Sequence, residues 1–513
     1  MNRIEERAAL IQQQAARLGK QVYNDGAAAA KEIAPKMDTQ KSCCKLVTLE
    51  EAIRQSGLKD GMTISFHHHF RAGDKVVNRV VDKLAEMGFK RLHLAASSLQ
   101  DVHKPLIEHI KNGVITRIST SGLRGDLATE ISHGLMQEPV VFRSHGGRGS
   151  AIRNNDLHID VAFLGVSSSD PLGNACGYSR SENAKSICGS LGYALPDAKH
   201  ADKVVILTDN LVAYPNTPNS ISESDVDFVV EVESVGDSSK IASGAIRDTK
   251  NPRDILLAQQ AAKVIINSGY FKEGFSIQTG SGGASLAAVK YIRESMIRQG
   301  IKASFALGGI TAHMVKMHEE GLIERLIDVQ SFDKVAAESL KNNPMHKEVA
   351  ANEYASADEP GSATHYLDIV ILSALEADVH FNVNVLVGSD GIIRGAIGGH
   401  PDTAADSALS IIVCPLLRGR IPCIVENVTT LITPGSSVDV IVTEYGIAVN
   451  PRRPEIAERL KKAGLNIVDI QALKAQADKI IGHAAPLPFG NKVVGVVMNR
   501  DGSVMDVIRN IVD

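Results

Sequence analysis

Two stretches of this chain recur at one fixed distance, and that recurrence limits the fold more than any other feature. Asn112-Gly-Val-Ile-Thr-Arg-Ile118 resembles Glu320-Gly-Leu-Ile-Glu-Arg-Leu326, an offset of 208. Asp160-Val-Ala-Phe-Leu, leading to Asp170 and Asn174, matches Asp368-Ile-Val-Ile-Leu, leading to Asp378 and Asn382, at the same offset. Val204-Val-Ile206 then falls opposite Ile412-Val413. A shared offset over so long a stretch predicts two homologous units. The repeated segments are short apolar runs of strand length separated by helical patterns. Met62 to Phe66, Arg91 to Ala96, Asp160 to Val166 and Lys203 to Thr208 read as strands, and Val76 to Met87 as a helix. Strands alternating with helices predict parallel βαβ units, hence an α/β fold of two tandem domains with mainly parallel sheets. The expected divisions are 1–48 for an N-terminal helix and connector, 49–235 for the first domain and 236–513 for the second. In the N-terminal piece Ile4, Ala8, Ile11, Ala15, Leu18 and Val22 share one helical face, which reads as a surface helix packed on the body or an arm for another subunit. A cleft between the two units is the expected site.

Composition narrows the function. The 513 residues carry 55 Lys+Arg against 59 Asp+Glu, a net charge of −4, which gives no electrostatic case for nucleic acid. Trp is absent and aromatics are 4%, so base-stacking platforms are unexpected as well. No uncharged apolar run approaches the roughly 20 residues of a membrane span. Cys43, Cys44, Cys176, Cys188, Cys414 and Cys423 form no Cys-x-x-Cys pair, and the acidic Glu5 and Glu6 argue against a targeting leader. A reduced, cytoplasmic setting is the expectation.

Several loops carry parts for anion chemistry. Phe66-His-His-His-Phe-Arg-Ala-Gly73 follows the first strand. Three histidines invite a zinc reading, but on a strand only His67 and His69 share a face, and no metal site is expected. A loop lining the site is the alternative, with His69 or Arg71 available to an anion; the plain structural reading weighs as much. Ser121-Gly-Leu-Arg-Gly125 and Ser144-His-Gly-Gly-Arg-Gly149 put backbone N–H groups beside guanidinium groups, though ordinary turns do the same. Gly280, Gly282 and Gly283 open a helix predicted from Leu286 to Arg298, without the lysine of a nucleotide-binding P-loop. Glu376 lies after the Asp368 strand, and Arg394-Gly-Ala-Ile-Gly398-Gly399-His-Pro-Asp402 follows. An acyl transfer needs amide donors for an oxyanion, a cation to orient an acid, and a carboxylate as base or nucleophile. Asp402 could equally cap the next helix, and Glu376 could hold a loop. No Gly-x-Ser-x-Gly elbow occurs, which disfavours a serine hydrolase.

These residues resemble a known family. The doubled α/β plan, Asp170-Pro-Leu-Gly-Asn174 and Gly398-Gly399-x-x-Asp402 are similar to the coenzyme A transferase superfamily. Asp60-Gly-Met-Thr-Ile-Ser-Phe-His-His, Asn267-Ser-Gly-Tyr-Phe-Lys-Glu-Gly-Phe275, Phe381-Asn-Val-Asn-Val, Gly388-Ser-Asp-Gly391 and Thr433-Pro-Gly-Ser-Ser-Val438 look like the citrate lyase alpha subunit family, from about Leu49 to the end of the chain. The resemblance implies a citrate:acetyl-carrier-protein transferase. It would pass the carrier thiol from acetate to citrate, the first half of citrate cleavage to oxaloacetate and acetate. The implied partners are citrate, acetate, an acyl carrier protein (gamma) and a citryl-carrier lyase (beta), in a large complex that includes further copies of this chain. No cofactor would be bound directly. The chain would act on the phosphoribosyl-dephospho-coenzyme A arm of the carrier, with acetyl-coenzyme A as a surrogate.

Against that background Glu376, Gly398, Gly399 and Asp402 are the expected catalytic residues, and Gly280, Gly282 and Gly283 the expected contacts for the thioester arm. His69, Arg71, Arg124 and Arg394 are expected to hold substrate. Most of the superfamily uses a glutamate that becomes an acyl anhydride. Near that place this chain has Gln330 and Ser331, which agrees with direct transfer between substrates. The alternative is an acyl-coenzyme A:carboxylate transferase using free coenzyme A.

Overall fold

The computed structural model describes residues 3–23, 45–179, 186–242, 249–280, 283–482 and 487–512. Its strands gather into two large sheets. The first is built from Thr63–Phe66 (β1), Leu92–Ala96 (β2), Ile115–Thr120 (β3), Val140–Phe142 (β4), Val161–Val166 (β5), Lys203–Thr208 (β6) and Phe228–Glu231 (β7). The second is built from Phe275–Thr279 (β8), Ala303–Ile310 (β9), Ile323–Ser331 (β10), His346–Glu348 (β11), Ile369–Ser373 (β12), Leu409–Val413 (β13), Val440–Thr443 (β14) and Gly446–Val449 (β15). The shared order is β4-β3-β2-β1-β5-β6-β7 in the first and β11-β10-β9-β8-β12-β13-β14 in the second. All pairs within those two runs are parallel. The expected α/β class with mainly parallel sheets is what the structure shows. Such strands are covered on both faces by helices, so they read as continuous apolar runs; all six residues of β5 are buried.

The repeat extends to individual side chains. Asp160 Oδ2 accepts the Thr63 N–H at 2.7 Å, and Asp368 Oδ2 accepts the Ser276 N–H at 2.9 Å. Each carboxylate ties the start of one strand to its neighbour and so fixes register, which a period-2 strand cannot do alone. Asp227 on Val204 and Asp439 on Ser410, both at 2.9 Å, repeat the device at the next pair. In the turns that follow, Asp170 Oδ1 accepts the Leu172, Gly173 and Asn174 amides, and Asp378 Oδ1 accepts those of His380 and Asn382. One expected alignment is off by two residues. Val161 pairs with Lys203 and Ile369 with Leu409, so Val204 corresponds to Ser410 rather than to Ile412. A slip of two preserves which face each side chain takes, so alternation hides it.

The sheets do not divide where the sequence placed its boundary. Phe489–Met498 (β16) and Val504–Ile511 (β17) form a hairpin, and β16 runs parallel beside β4 on the first sheet. The expected second unit, 236–513, therefore gives its last strands to the first sheet. The physical cause is the three-residue edge strand β4, whose outer hydrogen bonds need a partner. The N-terminal helix Arg3–Arg17 packs on the same hairpin. Ala15 is buried with Val496, Met498 and Val504, and Arg7 Nε donates to Asp506 Oδ1 at 2.6 Å. Among the described residues no helix is long and apolar enough to cross a membrane.

Candidate active site

The carboxyl ends of the strands in both sheets converge on a cavity of about 220 Å³. Loops at strand ends have no ladder to complete, so in parallel sheets this is where ligands meet protein. The loop after β1 supplies His68 and Arg71, the loop after β3 supplies Ser121 and Arg124, and His145 follows β4. From the second sheet come Gln278 and Gly280 near the end of β8, Gln330 and Phe332 at the end of β10, Ser373 of β12, and the turn Gly398-Gly399.

The two halves are laced together beside this cavity. The Ile397 N–H donates to the Ser121 carbonyl at 2.7 Å, and Leu123 N–H to the Gly395 carbonyl at 3.1 Å. A Cβ on Gly122 would lie 2.3 Å from that of Ala396, so the backbones approach only because residue 122 is glycine. The His145 N–H donates to the Gly398 carbonyl at 2.9 Å. Asp402 sits behind this turn, fully buried. Its carboxylate accepts Ser144 Oγ–H at 2.7 Å and Gly146 N–H at 3.0 Å. Burial pushes its pKa up to about 6, against the opposing pull of Arg500. Asp402 thus joins the helix His145–Arg153 of the first half to the helix His400–Asp406 of the second.

The electrostatics of the cavity are one-sided. Arg71 and Arg124 line it, and among the described residues no aspartate or glutamate does. Arg71 takes a positive φ of +50° and lies 4.9 Å from the Phe332 ring centroid. Its Nε and Nη1 are buried without a hydrogen-bond partner among the described residues. Burial, with Arg124 close by, lowers its pKa to about 10, and burial lowers that of Arg124. Two partly desolvated guanidinium groups without a counter-charge make a site for an anion. Around them stand imidazoles kept neutral. Burial lowers His145 to about 3, and burial with His145 and Arg71 holds His68 well below the usual range.

The remaining expected residues divide. Gly280, Gly398 and Gly399 line the cavity, but the Gly280 N–H is already given to the Ile371 carbonyl at 2.7 Å. Gly398 has a φ of +59°, and neither its N–H nor that of Gly399 meets an acceptor among the described residues. Gly283 stands at the start of the helix Gly283–Gln299, outside the cavity lining, and Gly282 lies outside the described residues, as do Cys43 and Cys44. His69 is sealed away from the cavity against His67, ring centroids 3.7 Å apart. Glu376 is not in the cleft. It is buried on the wall of a separate cavity of about 810 Å³, accepting Asn384 Nδ2–H at 2.8 Å and the Thr429 N–H at 2.5 Å. Arg394 is half-exposed and paired with Asp390. The four described cysteines are buried, which raises their pKa, Cys188 to about 12, so none is a ready nucleophile. Among the described residues the one cluster of three side chains suited to a metal is His158, Asp160 and Asp202, at the opposite ends of the strands.

Sequence reasoning missed His68, Tyr193, Gln278 and Tyr354, and it singled out the Ser144–Gly149 loop without its His145. For His68 the signal was present: alternation that pairs His67 with His69 turns the residue between them the other way. Tyr193 and Tyr354 gave none, since isolated tyrosines mark no motif.

Comparison with known proteins agrees over almost the whole length. The family described as "Citrate lyase, alpha subunit (CitF)" matches residues 42–511. The citrate lyase alpha chain of Escherichia coli (strain K12) is 58% identical over 478 residues, covering 93% of this chain and 92% of that protein. A citrate lyase alpha subunit from Streptococcus mutans, solved in complex with citrate, superposes with a TM-score of 0.93 at 53% identity, covering 97% of this chain and 98% of that one. The malonate decarboxylase alpha subunit of Acinetobacter baumannii shares the fold alone, with a TM-score of 0.62 at 14% identity over 93% of this chain and 96% of that one.

Proposed function

The chain belongs to the citrate lyase alpha subunit family, and on that premise we propose that the cleft between its two sheets is where a carrier thiol passes from acetate to citrate. Acetyl-carrier protein and citrate give citryl-carrier protein and acetate. A carboxylate oxygen of citrate attacks the acetyl thioester carbonyl; the C–O bond forms, the C–S bond breaks and the thiolate leaves. The thiolate then attacks the citryl carbonyl of the mixed anhydride, and acetate departs. No proton is gained or lost overall.

The observation that carries this reading is the buried Arg71 beside Arg124, without a hydrogen-bond partner for its Nε and Nη1 and in a cavity that no carboxylate lines among the described residues. Such a site favours a ligand with several carboxylates. The residues at 71 and 124 hold citrate, and the free amides of Gly398 and Gly399 donate to the oxyanion of each addition. Gln330 stands in the cavity wall with its amide on the His68 carbonyl at 3.3 Å. An amide does not form the acyl anhydride that a glutamate would, so transfer runs directly between substrates. Apolar side chains of Val329, Phe332, Leu372 and Ile397 in the lining keep water from the anhydride. The acyl carried into the cleft rides on the phosphoribosyl-dephospho-coenzyme A arm of the gamma subunit, and the beta subunit cleaves the citryl product.

The test is transfer by the purified chain, with acetyl-coenzyme A or the acetylated carrier as donor and citrate as acceptor. Citryl thioester by mass spectrometry, with no acyl adduct in the intact-protein mass, is the expected result. No citryl thioester from either donor would overturn the reading.

A further inference from the structure

His68 sits among residues that fix its ring from several sides. Its backbone N–H donates to Ser97 Oγ at 3.0 Å, and its Nδ1 lies 2.6 Å from the same oxygen. Ser97 is buried, and its hydroxyl proton has no other acceptor among the described residues. If Nδ1 carried the proton, that hydroxyl would be buried with its donor unsatisfied, which is unfavourable. Ser97 therefore donates to Nδ1, and the ring proton resides on Nε2. Tyr193 stacks on the ring at 5.0 Å and His145 at 5.7 Å, while Gln330 of the second half holds the His68 carbonyl. Nε2 has no protein partner among the described residues. Unlike the nitrogens of His67 and His69, it is not sealed from the cavity that His68 lines.

Resting on the transfer reading above, we propose that His68 is a catalytic residue that directs a fixed, neutral Nε2–H at the carbonyl oxygen under attack. The hydrogen bond strengthens as that oxygen gains charge in each addition, and relaxes as the C–S or C–O bond breaks; the proton stays on nitrogen throughout. The charged and titratable groups facing this ring are Arg71, Arg124, His67, His145 and Tyr193, and none of them is an anion at neutral pH. His145 does not share the role, because its Nδ1 is buried without a partner among the described residues, so none of them fixes its tautomer.

The experiment compares His68→Ala, His68→Gln and Ser97→Ala with the wild-type chain in the citryl-transfer assay, each with a melting curve. His68→Ala should lower kcat on the order of 100-fold, with KM for citrate nearly unchanged, as for loss of one oxyanion donor. His68→Gln restores an N–H near the Nε2 position and should recover about tenfold of that loss. Ser97→Ala should lower kcat by roughly tenfold by freeing the tautomer. Wild-type kcat should be flat between pH 6 and 8. Unchanged kcat in His68→Ala, a loss confined to KM, or a pH limb near neutrality that vanishes in His68→Gln would each overturn the proposal. Should His68→Ala melt below assay temperature, His68→Gln decides, and a Gln variant that loses the full 100-fold in folded protein overturns it. Wild-type chain that makes no citryl thioester would instead overturn the transfer reading on which this role rests.

Discussion

The two halves share one strand order, one set of register-fixing aspartates and one kind of Asp–Asn turn, yet they bring different chemistry to the cleft. The first half contributes Arg71, Arg124, His68 and His145. The second contributes uncharged groups: Gln278, Gln330, Ser373 and the glycine backbone at 280, 398 and 399. What a duplicated scaffold holds constant is the interior, where packing and register leave little freedom. The loops at strand ends carry no such load, so after duplication they can specialise. Binding of a polyanion then falls to the two arginines of the first half, and stabilisation of a transient oxyanion to the glycine amides of the second half with His68 across the cavity from them. That separation predicts that damage to the arginines reads mainly in KM and damage to the oxyanion donors mainly in kcat.

The largest effect is expected from Arg71→Ala. Removing one member of a buried charge-assisted contact costs about 3–4 kcal/mol, or several-hundred-fold in affinity. We expect kcat/KM for citrate to fall by that factor, with most of the loss in KM, in steady-state transfer assays. Gly398→Ala probes the opposite wall. At φ +59° a side chain adds roughly 1–2 kcal/mol of strain, and relief of that strain turns the amide. We expect kcat to fall about 10- to 100-fold with KM for citrate within a few-fold. If both variants moved the same parameter, the division of labour between the arginines and the oxyanion donors would be wrong.

Acid should also tell the halves apart. Among the described residues six histidines are shifted down mainly by burial, and five of them, His67, His68, His69, His93 and His145, belong to the first half; His400 belongs to the second. A histidine with a folded pKa below its unfolded value of about 6.5 leaves the unfolded chain holding more protons as pH falls. Its contribution to stability is complete above that value. It is lost toward the folded pKa, about 4 for His67, at roughly 1.4 kcal/mol per pH unit for each fully titrating group. Burial raises Asp328, Glu348, Asp402 and Asp439, all in the second half. These bind protons in the folded state first, so they add stability as pH falls. Hydrogen exchange at pH 7 and pH 5, corrected for intrinsic rates, should show Val161–Val166 losing protection before Ile369–Ser373. Equal loss in both strands would show that the halves unfold as one unit.

How much of this was written locally in the chain can be judged from particular residues. The strands β1, β2, β5 and β6 and the repeat were legible, because buried parallel strands are short apolar runs and the offset persists through the turns. The hairpin β16–β17 was not assigned to the first sheet. Its Asp501-Gly502 turn announces a hairpin, but nothing local says which open edge it will fill. Of the residues expected at the site, Arg71, Arg124, Gly280, Gly398 and Gly399 line the cavity, and their loops carry the glycine or arginine that marks anion chemistry in a sequence. Glu376 and Arg394 were drawn in by nearness in sequence alone. Glu376 follows β12 but turns into a two-residue pairing with Val383–Asn384, which carries it to the other cavity. Such choices depend on contacts 40 or more residues distant, such as the Thr429 amide that Glu376 holds.

The smallest effects sharpen the same comparison by lying outside both walls. Glu376→Gln keeps the shape but weakens the bonds to Asn384 and Thr429. We expect about 1–2 kcal/mol of lost stability in denaturant unfolding, and citrate transfer within threefold of wild type. Arg394 should matter least. Its guanidinium is half-exposed and paired with Asp390 on the surface, a class of ion pair worth about 0–1 kcal/mol. Arg394→Ala should therefore leave KM, kcat and melting temperature almost unchanged, where Arg71→Ala weakens citrate binding several-hundred-fold. The two arginines thus form a matched pair, one desolvated and unpartnered in the cleft, one solvated and neutralised. A rise in KM for Arg394→Ala comparable to that of Arg71→Ala would mean the second half closes a cation onto citrate, and that anion binding is shared between the walls.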